Sequence, residues 1–421
     1  MDDPALNEHN HQFSSIHVAI DARLPDSGQG GVLQVLQLLG LAFQLASIPN
    51  FTRTWLVYEG TTWWEDVIPG GDTIVRVPPP FGSVSLRIAK QFPRLVSIVF
   101  PILKRVIKEK PSYDKLLHDQ KVDVVHIPFQ DGLLTSLPTV YHPHDLQHCY
   151  FPENFTTQQL QHRDSAWRQR ATRATIVMAA SRQVQDDLMR FWGLPQDRIR
   201  VVPIPPPDRT VPEAPSSVVK VTRDNFAVYP AVFWPHKNHL NLLKAVEILQ
   251  KDGVEFDLIF TGAEGGIYKE VVKFAEQLPK PQRVCFAGHV SNGDLSWLVA
   301  NSRFVVVPSR FEAMSLTVWD AQRLGTAVAC SSGDPFPDQV GTTALLFDPD
   351  DPRSIARVIR QMWNDEDLRS RLVESASRRV EELTMENYGN AMYGMYLEAL
   401  QRPLPSKSAS SIAKLQQVVS G

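Results

Sequence analysis

The sequence predicts an α/β protein in which two Rossmann-like domains face each other across a central cleft. Short apolar runs rich in β-branched residues alternate with longer helical patterns, as in units of parallel strand and helix. Prolines crowd the stretch between Pro203 and Pro215, which can continue neither a helix nor a central strand and so divides the alternation into two series. The 421 residues suit two or three domains. We expect domains over 14–205 and 223–385, joined by a linker over 206–222.

Each series consists of strands that are followed by helices. The first series has strands in the segments IHVAI (16–20), VDVVHIPF (122–129), TVYHPHDL (139–146) and ATIVMAAS (174–181). The second has strands in FAVYPA (226–231), FDLIFTG (256–262), RVCFAG (283–288), FVVVPS (304–309), TAVACS (326–331) and ALLFDP (344–349), with helices over 239–250, 265–278 and 292–302 and from Pro352 onward. Because ligands bind outside the carboxyl ends of parallel strands, we expect a site between the domains.

The two ends of the chain lie outside these series. Residues 1–13 and 403–421 resemble poorly ordered tails, and we predict that both are disordered. Residues 386–402 are predicted to form a C-terminal helix that crosses back to the N-terminal domain.

The composition argues against several classes of protein. Hydrophobic residues make up 43% of the chain and charged residues 21%, as in an ordinary globular protein with sizeable cores. The net charge of −3 gives no general attraction to nucleic acid, so we expect no nucleic-acid partner. Cys149, Cys285 and Cys330 are far apart in apolar surroundings, which argues against a disulfide framework and a zinc site. A reducing, cytoplasmic location fits this pattern.

Membrane features are limited to one basic segment. The N-terminus is acidic and polar, unlike a signal peptide. The apolar run Leu95–Leu103 is broken by Pro101 and is far shorter than the roughly 20 residues that span a bilayer. Around it, residues 84–110 contain seven lysines and arginines against the single acid Glu109. This segment suits peripheral contact with an anionic membrane surface or an anionic acceptor, and an ordinary helix pair with a basic outer face explains the same pattern.

A glycine-rich loop follows the first predicted strand and opens a helix. It contains Gly28, Gly30 and Gly31. Glycines let backbone N–H groups approach an anion, and the N-terminus of a helix favours negative charge. The spacing differs from the G-x-G-x-x-G dinucleotide fingerprint, so a simple flexible turn explains the loop equally well.

Three histidines and an aspartate lie at the carboxyl end of the strand predicted over 139–146 and just after it. They are His142, His144, Asp145 and His148. In an extended strand His142 and His144 share one face and Asp145 points away, which disfavours a metal cluster. We interpret His144 as a polar residue at the carboxyl end of the strand that faces the cleft, and histidines that only cap turns are the alternative.

Lys237 lies in the loop after the first strand of the second domain, directly before a helix. A lysine at the mouth of a cleft beside a helix N-terminus suits a diphosphate. Most surface lysines are only solvated. This one is distinguished by its position at the carboxyl end of a first strand, where it mirrors the glycine loop across the predicted cleft.

The segment SRFEAMSLTVWDAQRLG (309–325) holds two acids eight positions apart, Glu312 and Asp320. Glu312 is predicted to lie in the loop that follows a strand. The next helix is predicted to begin near Ser315, a suitable N-cap residue, which places Asp320 on the helix.

Asp320 is predicted to lie on an apolar stripe of this helix. Leu316 and Leu324 stand four residues before and after it. A carboxylate in such a position is costly unless it is paired. The two candidate partners are Arg323, in a surface ion pair, and ligand hydroxyl groups reached from the cleft.

Six stretches occur in an order that is typical of one enzyme family. They are AIDARL…GQGG, HDLQHCYFPENF, AASRQVQDDLMRFWGLPQDRIRVVP, FWPHKNHLNLLKAVEIL, GHVSNGDLSWLVANSRFVVVPSRFE and VGTTALLFDPDDP. Together they resemble the retaining glycosyltransferases of family 4, which have the two-domain GT-B fold. The resemblance covers the chain from about Ile16 to the 380s.

The resemblance implies transfer of a sugar from a nucleotide-diphosphate sugar, most often a GDP- or UDP-sugar, to a hydroxyl of a glycan or small-molecule acceptor. The C-terminal domain would bind the donor and the N-terminal domain the acceptor. It also implies retention of anomeric configuration with no cofactor and no divalent metal. Asp348 and Asp350 form a formal Asp-x-Asp pair between a strand and the helix that opens at Pro352, and we interpret them as turn residues, which agrees with a metal-independent reaction.

The resemblance also assigns roles to individual residues. Lys237 matches the cation that neutralises the donor phosphates, and the glycines at 30–31 match a loop that closes over the diphosphate. His144 matches a histidine near the transferred sugar. Glu312 and Asp320 match the two acids of a Glu-x7-Glu motif, which bind the sugar and ribose hydroxyls respectively. The predicted catalytic residues are His144 and Glu312, and the predicted donor-binding residues are Gly30, Gly31, Lys237, Glu312, Ser315, Leu316 and Asp320.

Three departures from the family pattern stand out. Asp320 is one methylene shorter than the usual glutamate. Residues 313–315 replace a sequence that is commonly rich in glycine, so the backbone loses freedom at positive φ. Val232 stands where an arginine is common, which leaves Lys237 as the main phosphate cation. The alternative function is therefore a weak or inactive GT-B protein that acts as partner or regulatory subunit of another transferase.

Overall fold

A computed structural model describes residues 15–26, 30–79, 113–206, 209–214, 225–401 and 406–419 of the chain. The predicted N-terminal tail, residues 1–13, and the basic segment 84–110 lie outside the described residues. Within these ranges, no helix is both long enough and apolar enough to cross a membrane.

Seven parallel strands form the sheet of the N-terminal domain. They are β1 (Ile16–Asp21), β2 (Phe51–Tyr58), β3 (Thr73–Val77), β4 (Val124–Ile127), β5 (Thr139–Tyr141), β6 (Ile176–Ala179) and β7 (Ile199–Val201). Their order across the sheet is β3-β2-β1-β4-β5-β6-β7. The chain thus builds outward from β1 in one direction and then, from β4, in the other.

Six parallel strands form the sheet of the C-terminal domain. They are β8 (Ala227–Pro230), β9 (Leu258–Thr261), β10 (Val284–Phe286), β11 (Phe304–Val307), β12 (Val328–Ser331) and β13 (Leu345–Phe347). Their order is β10-β9-β8-β11-β12-β13. The order reverses between β8 and β11, as it does between β1 and β4.

Helices flank both sheets. Those before the second sheet are α1 (Gly30–Ala46), α2 (Asp114–Asp119), α3 (Gln147–Tyr150), α4 (Thr157–His162), α5 (Arg168–Arg173) and α6 (Arg182–Trp192). Those that follow are α7 (His239–Lys251), α8 (Tyr268–Glu276), α9 (Asn292–Asn301), α10 (Leu316–Arg323), α11 (Phe336–Val340), α12 (Pro352–Asn364), α13 (Glu366–Val380), α14 (Met385–Ala399) and α15 (Ser406–Val418).

The architecture confirms the predicted α/β fold of two parallel sheets with flanking helices. All the strands predicted from apolar runs are present, although most are shorter than predicted. Strands β2, β3 and β7 were missed. The apolar run of β2, FTRTWLVY, is interrupted by the exposed Thr52 and by Arg53, which is half-buried in an ion pair with Asp72 at 2.6 Å. These polar residues obscure the strand pattern in the sequence.

Helix α14 belongs to the core of the N-terminal domain although it follows the C-terminal domain in sequence. Tyr388, Met392 and Tyr396 are buried in that core. The Tyr396 hydroxyl lies 2.8 Å from Nδ1 of His126 on β4. The chain therefore crosses back after α13, which ties the two domains together a second time.

The prediction of a disordered tail is wrong for the part of it that forms α15. Leu415, Val418 and Val419 are buried against the N-terminal core, and Ser411 donates a hydrogen bond of 3.1 Å to Asn387 on α14. The serines and lysines of this stretch obscure its apolar periodicity in the sequence. The helix is stable because its apolar face packs against α14.

We expect Gly389→Ala to destabilise the protein by about 1 to 3 kcal/mol, because α1 and α14 would have to move apart. An added Cβ would lie 2.4 Å from the Ala42 carbonyl oxygen and 2.8 Å from the Ala46 side chain. The matched control is Gly293→Ala on α9, whose Cβ would meet no atom closer than 3.9 Å. The free energy of unfolding in urea should fall for the first variant only. Equal stability of the two variants would contradict the close approach of the helices.

Candidate functional site

The reversal of strand order creates a crevice at the carboxyl edge of each sheet. In the N-terminal sheet the crevice lies between β1 and β4, and in the C-terminal sheet between β8 and β11. Loops that leave neighbouring strands at this point go to opposite faces of the sheet and leave space for a ligand. The loops after β8 and β11 carry Lys237 and Glu312.

Lys237 and Glu312 meet at this crevice. Their Nζ and Oε1 atoms lie 2.5 Å apart, and their side chains are 21% and 14% exposed. The residues are 75 positions apart in sequence, and the adjacent ends of β8 and β11 bring them together. The site thus contains a partly buried ion pair that is still open to solvent and to a ligand.

Asn238 holds the lysine loop in place. Its backbone is in the left-handed region, with φ of +62°. Its side-chain amide donates to the Pro308 carbonyl at 3.0 Å and to the Pro349 carbonyl at 2.7 Å. The Tyr229 hydroxyl donates to the Lys237 carbonyl at 2.8 Å. One buried amide therefore links the loops that follow β8, β11 and β13.

Asp320 pairs with Arg209. Nε of Arg209 lies 3.2 Å from Oδ1 and Nη2 lies 3.3 Å from Oδ2, and the two side chains are 11% and 13% exposed. The predicted candidate Arg323 instead donates to the Leu383 carbonyl. Burial raises the pKa of Asp320, and the charge of Arg209 acts against that rise. The cation comes from the segment predicted as a linker.

Helix α10 begins at Leu316 with Ser315 at the N-cap position, as predicted, but the Ser315 side chain makes no capping hydrogen bond. Instead Gln339 braces this residue. Its side-chain oxygen accepts from the Ser315 N–H at 3.0 Å, and its side-chain nitrogen donates to the Ser315 carbonyl at 2.7 Å. Leu316 is half-buried and packs against the core of the N-terminal domain. The predicted donor-binding residue Ser315 therefore offers no unpaired backbone group.

The loop at 313–315 explains one departure from the family pattern. Each of its residues has a negative φ, so glycine is not needed there. The side chains of Ala313 and Met314 pack against the N-terminal core, and Ser181 at the start of α6 donates a 2.6 Å hydrogen bond to the Ala313 carbonyl. Side chains that contact the other domain thus replace the flexible glycines.

Two further contacts cross the cleft beside this loop. The rings of Tyr150 and Phe311 lie 5.2 Å apart. Asp145 lies close enough to Glu312 for the two charges to repel, which adds to the effect of burial in raising the pKa of Asp145. The end of β5 and the loop after β11 therefore face each other.

His144 lies in a loop, beyond the end of β5 at Tyr141. Its φ of +65° is unusual for a residue with a side chain. Its Nε2 lies 2.9 Å from the Pro128 carbonyl after β4, and its ring centroid is 4.1 Å from that of His142. Burial lowers the pKa of His144 to about 4. The ring is therefore neutral at pH 7, where Nε2–H donates to Pro128 and Nδ1 is left as an acceptor.

The remaining predicted residues lie at expected places in the fold. Gly30 and Gly31 open α1 after β1, and a Cβ at Gly31 would meet no atom within 4 Å. Asp348 accepts from the Asp350 N–H at 2.9 Å, and Asp350 pairs with Arg310 at 2.6 Å. The described residues contain no group of three histidine, cysteine or acidic side chains placed to hold a metal ion.

Several residues of the site were not predicted from the sequence. Arg209, Ser181 and Gln339 contact the acid segment from positions that are distant in sequence, and no local pattern marks them. Asn238 carried a weak signal, since asparagine tolerates positive φ and often precedes helices.

Two parallel sheets, a crevice at the switch point of each and a C-terminal helix that returns to the first domain are the features of the GT-B fold. The chain belongs to glycosyltransferase family 4. The model of Glycosyltransferase Family 4 matches residues 71–205, and that of Glycosyl transferases group 1 matches residues 211–379. The protein is therefore an enzyme that transfers sugars from nucleotide-sugar donors.

Relatives and solved structures agree with this assignment. O-antigen chain mannosyltransferase B of Escherichia coli is 24% identical over 280 residues, which is 64% of this chain and 73% of that protein. A glycosyltransferase from Rickettsia africae superimposes with a TM-score of 0.63 at 14% identity, over 93% of this chain and all of that one. The Anabaena protein HepE in complex with UDP and glucose has a TM-score of 0.62 at 16% identity, over 92% and 99%. At these identities the two structures show the fold alone.

We expect Asn238→Ala to lower the free energy of unfolding by about 2 to 3 kcal/mol. The buried Pro308 carbonyl loses its side-chain donor, the Pro349 carbonyl keeps only the Asn241 amide, and alanine is strained at positive φ. Asn238→Gly should recover about 1 kcal/mol of this loss, since glycine adopts the same backbone freely. The exposed Asn301→Ala serves as the control and should change stability by less than about 0.5 kcal/mol. Urea unfolding measures all three. If the alanine and glycine variants are equally stable, the left-handed backbone carries no strain.

Proposed function

We propose that the protein is a retaining, metal-independent glycosyltransferase that adds a sugar to a hydroxyl of a growing polysaccharide or glycoconjugate. The observation that carries the proposal is the pairing of Lys237 with Glu312 at the switch point of the C-terminal sheet. A cation for the donor phosphates and an acid for the sugar hydroxyls are thus adjacent, as a diphosphate-linked sugar requires.

The donor would lie between this pair and the N-terminal domain. Lys237 would contact the diphosphate, and the first N–H groups of α10, which begins at Leu316, would add the favourable field of a helix N-terminus. The loop at 30–31 would approach the same phosphates from the other side. Asp320, on the second turn of α10, would accept from the ribose hydroxyls.

His144 and Glu312 would hold the transferred sugar from opposite sides of the cleft. A neutral His144 whose Nε2–H is bound to Pro128 presents Nδ1 to accept from a sugar hydroxyl. The bond between the anomeric carbon and the donor phosphate breaks while the acceptor oxygen bonds to the same face. The acceptor proton passes to the leaving phosphate oxygen. The protein would position the reactants and stabilise the charge that develops. Lys237 would stabilise the negative charge of the leaving diphosphate, as a metal ion does in metal-dependent transferases.

The substrate class is inferred from relatives. The mannosyltransferase of Escherichia coli named above acts on an O-antigen chain, and HepE binds UDP and glucose. These names favour a hexose donor and a polysaccharide acceptor, and the family resemblance favours GDP or UDP as the nucleotide of the donor. The basic segment 84–110, proposed to contact an anionic membrane surface at the cytoplasmic face, would suit an acceptor that is attached to such a surface.

A weak or inactive partner protein is the second candidate. The observation that favours it is that both acids of the site are already neutralised by cations of the protein, Lys237 and Arg209. A site that has lost its ligand could be stabilised in this way. The test below separates the two candidates.

We expect the purified protein to release nucleotide from one member of a panel of UDP-, GDP-, ADP- and dTDP-sugars and to be stabilised thermally by it. Lys237→Ala should weaken binding of that donor about 10- to 100-fold, because a charge-assisted contact to phosphate is lost. The matched control is Lys251→Ala, which removes a surface lysine paired with Glu247 at 2.5 Å on α7. A protein that neither binds nor hydrolyses any donor would support the inactive partner, and unchanged binding by Lys237→Ala would refute the donor assignment.

The two acids should differ in what they recognise. Glu312→Gln should weaken the nucleotide sugar about tenfold or more and leave the nucleoside diphosphate nearly unchanged, because its carboxylate would accept from sugar hydroxyls. Asp320→Asn should weaken both ligands by a similar factor, since both contain the ribose. Calorimetric titration with the donor and with its nucleoside diphosphate measures the difference. Equal losses for both ligands in Glu312→Gln would place the sugar elsewhere.

A further inference from the structure

The segment between the two domains supplies a charged group to the donor domain. Arg209 lies 111 positions before Asp320. Its guanidinium makes two parallel contacts with the carboxylate, one to each oxygen, at 3.2 and 3.3 Å. Both side chains are close to nine-tenths buried. Arginine differs from lysine in presenting such a planar fork, which fixes the orientation of a carboxylate as well as its charge.

The charge of Asp320 depends on this contact. Burial alone favours the protonated carboxyl and so raises the pKa of Asp320, and Arg209 opposes that effect. Among the described residues, Arg209 is the charged group that acts on Asp320 from another element. Arg323, on the same helix, donates to the Leu383 carbonyl. Without Arg209, the pKa of Asp320 would rise further.

The Asp320 carboxylate has lone pairs beyond those that Arg209 uses. An ionised carboxylate has about four lone-pair sites, and the guanidinium occupies two of them. The other two suit a pair of neighbouring hydroxyl groups. Asp320 is also one methylene shorter than the glutamate common in the family, so its carboxylate extends less far from α10 and its position depends more closely on the helix and on Arg209.

We propose that Arg209 is a positioning residue of the donor site, which holds the Asp320 carboxylate charged and oriented for the two ribose hydroxyls of the nucleotide. This inference rests on the proposed function, because it takes Asp320 as the ribose acceptor. Arg209 acts through Asp320 and does not touch the phosphates. The interdomain segment is then part of the nucleotide site and not only a connection.

The test compares Arg209→Gln, Arg209→Lys and the wild type in calorimetric titrations with GDP, UDP and inorganic pyrophosphate, from about pH 5.5 to 8.5. The pH at which nucleotide affinity is half of its maximum should rise by about one unit or more in Arg209→Gln. At pH values below this midpoint, the variant should then bind nucleotide about tenfold more weakly than the wild type. Pyrophosphate has no ribose, so its binding should not change. Arg209→Lys keeps the charge and should retain the wild-type midpoint with about a two- to fivefold loss from the missing fork.

Arg283→Gln is the matched control. Arg283 pairs with Asp257 at 2.7 Å, and these side chains are 13% and 12% exposed, almost the same burial as in the Arg209 pair. Both residues directly precede strands β9 and β10, so they lie at the edge of the sheet opposite to the cleft. This variant should leave the pH midpoint and both affinities unchanged.

A double variant tests whether Arg209 acts through Asp320. In the Asp320→Asn background, Arg209→Gln should cause no further loss of nucleotide affinity. An additive loss, an unchanged pH midpoint, or an equal loss for pyrophosphate would each overturn the inference. If Arg209→Gln does not fold, the midpoint of Arg209→Lys decides, since a shifted midpoint in a variant that keeps the charge contradicts the proposed role.

Failure of the proposed function is recognised separately. If the proposed function is wrong, the wild-type protein itself binds neither GDP nor UDP and no sugar donor. When the wild type binds nucleotide and the Arg209 variants behave like the control, the proposed function stands and this inference fails.

Discussion

The carboxyl ends of β8 and β11 lie side by side because the strand order of the C-terminal sheet reverses between them, and the rest of the site depends on this adjacency. It brings Lys237 within 2.5 Å of Glu312 although the two residues are far apart in sequence. The amide of Asn238 fixes the arrangement through the loops after β11 and β13. A cation and an acid are therefore held at one point before any ligand arrives, which reduces the ordering that binding requires.

The second constraint is the contact between the domains beside this point. Ala313 and Met314 pack on the N-terminal core, and Ser181 donates to the Ala313 carbonyl. Helix α14 returns to the same core from the other end of the C-terminal domain. The acid segment is thus held by both domains, and the substitution of glycines by larger residues becomes a contact rather than a defect. The same contact fixes the entry to α10 and hence the position of Asp320.

Charge balance in the site also has a tertiary origin. Glu312 and Asp320 are each paired with a cation from a distant part of the chain, Lys237 and Arg209. Burial by itself raises the pKa of Asp320, and the charge of Arg209 opposes that rise. The side chains of Glu312 and Asp320 are still 14% and 13% exposed, so pairing with a cation does not bury either acid completely. The two candidate functions explain these ion pairs differently. In an active transferase the paired acids are ready to bind a donor, and in an inactive partner protein the ion pairs take the place of a lost ligand.

The sequence by itself determined the α/β class, the division near the prolines of 203–215, and the positions of Lys237 and Glu312 at strand ends, because buried parallel strands have a strong local pattern. It did not reveal β2, whose apolar run is interrupted by Thr52 and Arg53, or α15, whose apolar face is covered by other parts of the N-terminal domain. The candidate partners of Asp320 were Arg323 on the same helix and ligand hydroxyl groups, and the protein group that pairs with it is Arg209. Only the tertiary structure decided this, since a contact across 111 residues depends on how the domains fold back on each other and leaves no periodic trace in the sequence.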